Sequence, residues 1–180
     1  QSYGGFCAMR YLGAATEGLR EVLITGGIPS LTRPVDDVYR ATYARVAAKN
    51  RLYYQRYPGD VARVRQIVDY LVRHAVYLPG GAQLTARRFL QLGLHFGMGD
   101  GFEAVHYLLE DAFVAGPDGR AQIHWNFLFH LEKMQTFDTN PLYSLLHEAC
   151  YTQGAASRWS AQRLLAEFAE FDLDAAGPVL

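Results

Sequence analysis

The feature that most constrains the fold is how little β-strand the sequence predicts. Residues 21–25 (EVLIT) form a short apolar run that ends at Gly26-Gly27, which is the pattern of a strand buried on both faces. We find no second convincing strand in the 180 residues. Because a lone strand is not stable without neighbouring strands or a covering element, we expect this one to belong to a sheet completed by residues outside the chain.

Helical periodicity dominates the rest of the chain. Pro34 is followed by Asp36 and Asp37, which suit the N-terminus of a helix. Proline and glycine then separate segments in which apolar residues recur three or four positions apart. These segments predict helices over residues 34–57, 60–78, 85–96, 102–114, 121–135, 140–150 and 157–168. Residues 4–15, which are small and apolar, predict one more short helix, buried on all sides.

Charge and composition exclude several classes of protein. The 17 basic residues nearly cancel the 18 acidic ones, whereas nucleic-acid-binding proteins concentrate positive charge. With 50% hydrophobic residues the chain is not a disordered tail. No apolar run approaches the ~20 residues of a membrane helix, and two cysteines are too few for a disulfide framework.

A serine near the start of the chain carries the clearest chemical signal. Ser2-Tyr3-Gly4-Gly5 fits the second half of a G-x-S-x-G nucleophile elbow, where a sharp strand-to-helix turn exposes the serine hydroxyl. The helix predicted directly after Ser2 is the context that the motif requires. In this interpretation the N–H of Tyr3 contributes to the oxyanion hole; the alternative is a turn without catalytic meaning.

The partners of such a serine are not evident in the sequence. A histidine base and an orienting acid should follow it in the order Ser, Asp or Glu, His. The histidines all fall within or at the ends of predicted helices: His74, His95, His106, His124, His130 and His147. Asp172 and Asp174 follow a helix rather than a strand. We therefore expect the base and the acid to lie outside the chain.

The sequence lacks the residue spacing that metal-binding and nucleotide-binding motifs require. His147-Glu148 lacks the second histidine of H-E-x-x-H, and Cys7 and Cys150 form no C-x-x-C pair. Residues 97–101 (GMGDG) lack the last glycine of a dinucleotide loop and follow a helix. The sequence predicts no metal and no cofactor.

Glu148 lies in a largely apolar segment, where a carboxylate is costly unless a cation pairs with it. It therefore faces solvent, pairs with an arginine, or binds a positively charged group of a substrate. The sequence alone leaves these alternatives open.

Several segments together resemble the prolyl aminopeptidases (proline iminopeptidases), which are serine peptidases of the α/β-hydrolase fold. Residues 1–7, 11–12 and 17–20 are similar to the nucleophile elbow and to the helix and strand that follow it. The segments that resemble the helical cap of the longer-chain bacterial and fungal branch are 78–85 (LPGGAQLT), 96–103 (FGMGDGFE), 137–143 (FDTNPLY) and 147–157 (HEACYTQGAAS).

The resemblance implies a mostly α chain that is a fragment of an α/β-hydrolase. Residues 1–33 would belong to the hydrolase core, with the elbow, a helix and one strand. Residues 34–170 would form a helical cap, and residues 171–180 would begin the return to the core. The family's catalytic Asp and His would follow Leu180, so we expect the 180 residues alone to be inactive.

The resemblance also implies a reaction, which is the release of an N-terminal residue, preferably proline, through an acyl-enzyme on Ser2. Tyr3 would supply the oxyanion N–H. Cap glutamates of the family bind the free amino terminus of the peptide, and Glu148, in a Glu-x-x-Tyr context, matches one of them. Glu103 is a second candidate.

Two other interpretations stay open. One is a different α/β-hydrolase such as an esterase; an epoxide hydrolase would require an aspartate in place of Ser2. The other is a non-catalytic helical module whose aromatic residues, 12 Tyr and 10 Phe, bind a partner. The predicted partner is a peptide substrate with a free N-terminus, and neither nucleic acid nor a membrane is expected as a partner. The predicted location is the cytoplasm. Homo-oligomerisation stays open.

Overall fold

The computed structural model describes residues 1–172, which are mostly helical as predicted. Its α-helices are α1 (Tyr3–Leu12), α2 (Val35–Arg56), α3 (Asp60–Arg73), α4 (Ala86–Phe89), α5 (Gly101–Glu110), α6 (Trp125–Lys133), α7 (Pro141–His147) and α8 (Ser160–Leu164). Short 3-10 helices span Leu90–Gly97, Glu148–Tyr151, Leu165–Glu167 and Ala169–Phe171. Asp174 and most of the predicted return to the core at residues 171–180 lie outside the described residues.

The chain groups into two compact units. We call Gln1–Thr42 with Asn140–Leu164 the elbow unit, because it contains Ser2. We call Tyr43–Thr139 with residues 165–172 the helical unit. The predicted division into a hydrolase core over residues 1–33 and a cap over residues 34–170 stays a prediction.

The helical unit is built around a core to which α3 contributes one apolar face. Val64, Ile67, Val68 and Leu71, spaced three or four residues apart, are buried along that face. They join a continuous buried cluster that includes Tyr53, Phe89, Leu92, Phe96, Val105, Leu109, Phe127 and Leu131. The helical periodicity read from the sequence therefore corresponds to a packed interior.

Two short antiparallel hairpins stand where the sequence predicted helix ends. β1 (Val76–Tyr77) pairs with β2 (Gln83–Leu84), and β3 (Phe113–Ala115) pairs with β4 (Ala121–Ile123). Their turns use the glycines that were interpreted as helix breakers, and Gly81 and Gly119 adopt positive φ values of 87° and 75°. Two or three apolar residues beside a glycine turn are compatible with a short hairpin strand and with the end of a helix. Such short segments contain too few residues for their periodicity to distinguish a strand from a helix end.

Two predictions for the elbow unit are wrong. The structure assigns no strand to residues 21–25, and Leu23 is 82% exposed rather than buried. The first helix forms, but among its residues only Gly5 is buried. An apolar segment indicates a surface whose burial would be favourable. It does not indicate which part of the chain buries that surface. A strand, moreover, is formed only with a hydrogen-bonded neighbour.

Candidate active site

Ser2 lies at the N-terminal end of α1 in a strained conformation. Its φ and ψ are 54° and −134°, a combination that a residue with a side chain rarely adopts. The residue is exposed, and its hydroxyl does not cap the helix as an N-terminal serine commonly does. A strained serine at the start of a helix is the local geometry of a nucleophile elbow.

A glycine pair holds this turn in place. A Cβ atom on Gly27, whose φ is 74°, would overlap the carbonyl oxygen of Ser2. A Cβ atom on Gly5 would likewise overlap the carbonyl oxygens of Gly26 and Gly27. The Ser2 turn and the Gly26-Gly27 loop therefore approach more closely than any residue with a side chain would allow.

Tyr3 begins α1, so its backbone N–H has no acceptor within the helix and stays available to a substrate oxygen. Its side chain is 62% exposed and stacks on Phe6, with ring centroids 6.0 Å apart. A hydrogen bond to the thiol of Cys150 raises the pKa of the Tyr3 hydroxyl. These contacts join the start of α1 to the segment that contains Glu148.

A chain of aromatic rings continues from α1 toward Glu148. Phe6 packs edge-on against Tyr151 with a centroid distance of 5.5 Å, and Tyr151 packs against Tyr39 at 6.3 Å. The hydroxyl of Tyr39 donates a hydrogen bond to the Glu148 carboxylate. The helix that carries Ser2 and the carboxylate thus belong to one packed assembly within the elbow unit.

Glu148 is buried, with 5% of its surface exposed, and is surrounded by neutral donors. The backbone N–H groups of Ser160 and Ala161 donate to its two oxygens at 2.7 and 3.2 Å, and the hydroxyls of Ser157 and Tyr39 donate as well. Burial by itself raises the pKa of Glu148, but these four hydrogen bonds together outweigh it and hold the pKa below its usual value. The side chain is therefore a buried, ionised carboxylate.

The four groups that donate hydrogen bonds to Glu148 are neutral, and the nearby Arg163 guanidinium interacts with its carboxylate electrostatically. Of the alternatives left open by the sequence, solvent exposure is therefore not what the structure has. The carboxylate is a buried anion that would attract a further cation.

Glu103 has a different environment, on α5 in the helical unit. It forms an ion pair with Arg56 and accepts a hydrogen bond from the hydroxyl of Tyr57 at 3.4 Å. Its side chain is partly exposed. This carboxylate therefore has a direct cationic partner.

The histidines are placed mostly in the helical unit. His106 Nδ1 lies 2.9 Å from a carboxylate oxygen of the buried Asp60, and His95 Nε2 lies 3.0 Å from the carbonyl oxygen of Met134. His147 belongs to the elbow unit and packs against the rings of Tyr143 and Tyr151. In the part of the chain that the structure describes, no histidine is hydrogen-bonded to the Ser2 hydroxyl.

Sequence analysis missed a polar network beside Glu148. Asp36 accepts hydrogen bonds from the Arg163 guanidinium, at 2.7 and 3.3 Å, and from the Ser160 hydroxyl. The bonds from Arg163, followed by the one from Ser160, hold the pKa of Asp36 below its usual value. The partners are more than 120 residues apart in the chain, so no local pattern could have identified them.

Among residues 1–172, no group of three or more His, Cys, Asp or Glu side chains is placed to hold a metal ion. None of the helices formed by these residues combines the length and hydrophobicity that crossing a bilayer requires.

Ser2 thus combines an exposed hydroxyl with a strained backbone at a helix start. Comparison with curated proteins points to the hydrolases as the class of enzyme. The chain is 44% identical over 168 residues to proline iminopeptidase of Aeromonas sobria. The aligned region covers 93% of this chain and 38% of that relative. It is 33% identical over 170 residues to proline iminopeptidase aneH of Aspergillus aculeatus, covering 90% of this chain and 36% of that relative.

These matches confirm the resemblance to proline iminopeptidases that the sequence segments indicated. The chain spans only 38% and 36% of the length of these relatives. No protein-family model matches it.

Proposed function

We propose that this chain supplies the nucleophile and part of the substrate-binding cap of a serine aminopeptidase that releases N-terminal proline from peptides. The observation that carries the proposal is the strained, exposed Ser2 at the start of α1, locked against Gly26-Gly27. The names of the two relatives supply the preference for proline.

In the proposed reaction the Ser2 hydroxyl attacks the carbonyl carbon of the substrate's N-terminal residue. The N–H of Tyr3 donates to the oxyanion that forms, an interaction whose loss in another serine peptidase costs ~2.7–4 kcal/mol. Collapse of the intermediate expels the amine of the shortened peptide and leaves the N-terminal residue esterified to Ser2, and water then releases it. The histidine and acid that move the protons are supplied by residues outside the described ones.

Glu148 is proposed to bind the substrate's N-terminal ammonium group. Its carboxylate is ionised, buried and hydrogen-bonded to neutral donors, and a substrate ammonium group would add a direct cationic partner to the electrostatic interaction with Arg163. The four donors occupy the acceptor sites of the carboxylate. Two of these donors, Ser157 and Tyr39, are hydroxyls that can rotate away when an ammonium group arrives. Glu103 stays a prediction as a second amine-binding carboxylate, and it would have to exchange its ion pair with Arg56.

The test of the nucleophile uses the longer protein that contains this chain. We expect Ser2→Ala to abolish labelling by a fluorophosphonate and to lower turnover of a prolyl-arylamide at least ~10³-fold. Ser144→Ala, at an exposed position on α7, serves as the matched control and should leave both unchanged. Undiminished labelling of the Ser2→Ala variant would show that another residue is the nucleophile.

Two further comparisons separate the alternatives. The 180 residues alone should not turn over the arylamide, because the base is missing; turnover by the chain alone would contradict this. In the longer protein, Glu148→Gln should weaken reaction with free N-terminal substrates and spare simple esters. Equal loss for both would favour an esterase with a structural Glu148.

A further inference from the structure

Two consecutive residues between the 3-10 helix Glu148–Tyr151 and α8 have strained backbones. Arg158 and Trp159 have φ values of 53° and 54°, although both carry large side chains. Such conformations cost free energy and persist only where the surroundings fix them, which occurs most often at binding and catalytic sites. The side chain held out at this point is a tryptophan, 57% exposed.

Polar groups on both sides fix the strained pair. Glu148 accepts hydrogen bonds from Ser157 before the pair and from the backbone N–H groups of Ser160 and Ala161 after it. The Arg163 guanidinium donates to the carbonyl oxygens of Ser157 and Arg158, each at 3.2 Å.

Asp36 in turn holds Arg163 through two hydrogen bonds. The backbone at Trp159 is therefore held in place before any ligand arrives.

We propose that Trp159 determines which N-terminal residue the enzyme prefers, by packing its indole face against the apolar side chain of that residue. The proposal rests on the proposed function. Trp159 directly precedes Ser160, whose N–H is bonded to the Glu148 carboxylate. A substrate ammonium group bound at Glu148 would therefore lie close to the backbone of Trp159, from which the exposed indole can reach the first side chain of the peptide.

Proline suits this arrangement best among the small N-terminal residues. Its ring carbons are attached to the nitrogen that Glu148 would bind, so the ring lies beside the carboxylate whatever the rest of the peptide does. A flat aromatic surface gains dispersion contacts from each ring carbon that it covers. An alanine substrate presents a single methyl group and gains less.

Kinetics with two substrates test the proposal in the longer protein. We expect Trp159→Ala to lower the ratio of kcat/KM for prolyl-arylamide to that for alanyl-arylamide at least tenfold, mainly through KM. Trp159→Phe, which keeps an aromatic face, should stay within about threefold of the wild-type ratio. Trp125→Phe, at the other tryptophan of the chain, is the control and should leave the ratio unchanged.

An equal loss for both substrates in Trp159→Ala, with lower stability, would make Trp159 a packing residue and overturn the proposal. An unchanged ratio would also overturn it. Failure of the wild-type enzyme to release any N-terminal residue would instead overturn the proposed function, and this inference with it.

Fluorescence gives a second readout that does not depend on turnover. The double variant Ser2→Ala, Trp125→Phe removes the proposed nucleophile and Trp125, so within this chain Trp159 is the remaining indole. We expect the dipeptide Pro-Gly to change its emission in a saturable way, and N-acetyl-Pro-Gly, which lacks the ammonium group, to have no effect; the difference is read against the same protein with Trp159→Phe. Equal responses to both peptides, or to neither, would contradict a position of Trp159 beside a bound N-terminus.

Discussion

Gly27 is the residue on which the conformation of Ser2 depends most directly. It combines a positive φ with an approach to the Ser2 carbonyl that leaves no space for a Cβ atom. We expect Gly27→Ala to displace the Ser2 turn and to slow fluorophosphonate labelling of the longer protein about 100-fold, because small misplacements of a reacting group have effects of that size.

The neighbouring glycine provides the control. A Cβ atom on Gly26 would lie 3.8 Å from the Ser2 backbone nitrogen, an ordinary contact, so Gly26→Ala should label at nearly the wild-type rate. Equal rates for both variants would mean that the glycine loop does not support the serine.

The Glu148 carboxylate should make the stability of the chain dependent on pH. Its pKa is lower in the folded chain than the unfolded value of about 4.3, so its contribution is fully present above that pH and is lost as the pH falls through the lower folded pKa. We expect Glu148→Gln to lower the free energy of unfolding by about 1.5–3 kcal/mol at pH 7, the size typical of hydrogen bonds to a charged group.

Urea unfolding at a series of pH values measures this difference. The gap between wild type and Glu148→Gln should shrink steadily below about pH 4. A gap that is independent of pH would show that the side chain acts through packing rather than through its charge.

At the scale of elements, Asp60 joins three helices of the helical unit. Fully buried at the start of α3, it accepts hydrogen bonds from Tyr53 on α2 and from Arg63, and it lies 2.9 Å from His106 on α5. Removing one partner of a buried ion pair costs about 3–5 kcal/mol. Because Arg63 is partly exposed and can reach water, we expect about 2–3 kcal/mol for Asp60→Asn, measured by urea unfolding.

A second aspartate on the same helix calibrates that result. Asp69 pairs with Arg73 at 3.7 Å on the surface, and Asp69→Asn should cost less than about 1 kcal/mol. Similar losses for the two variants would mean that the buried network adds little to the stability of the helical unit.

The elements that the sequence predicted well are those with helix-starting or helix-breaking residues at both ends. The predicted helix over residues 34–57 is observed as Val35–Arg56, since Pro34 and Pro58-Gly59 bound it. The hairpins and the missing strand had no such signals, because strand formation depends on a partner segment rather than on the strand's own residues.

At the scale of the whole molecule, one part of the candidate site could be predicted from the sequence and another part could not. The half-motif around Ser2 was sufficient to predict a sharp turn that exposes the serine, whereas the apolar residues around Glu148 left its exposure and its partners open. The contacts of Asp36 with Ser160 and Arg163, and the strained pair that they support, join segments far apart in the chain. Only the folded chain could reveal them.

The elbow unit also leaves large apolar side chains exposed, which its own sequence could not foretell. They include Leu23 at 82%, Ile28 at 70%, Leu31 and Leu142 at 65% and Leu146 at 60%. Apolar surface of this extent is typical of contact with other protein. The greater part of the length of the relatives lies outside the match and could supply that contact.

The interlocked glycines bear on how descendants of this protein can diverge. Under the proposed function, we expect Gly5 and Gly27 to resist substitution, since a Cβ atom at either position would push the Ser2 turn and the Gly26-Gly27 loop apart. A lineage that abandons catalysis would lose that restraint at both segments together. Substitution of both glycines in a relative would therefore predict that the proposed Ser2 chemistry has been lost there.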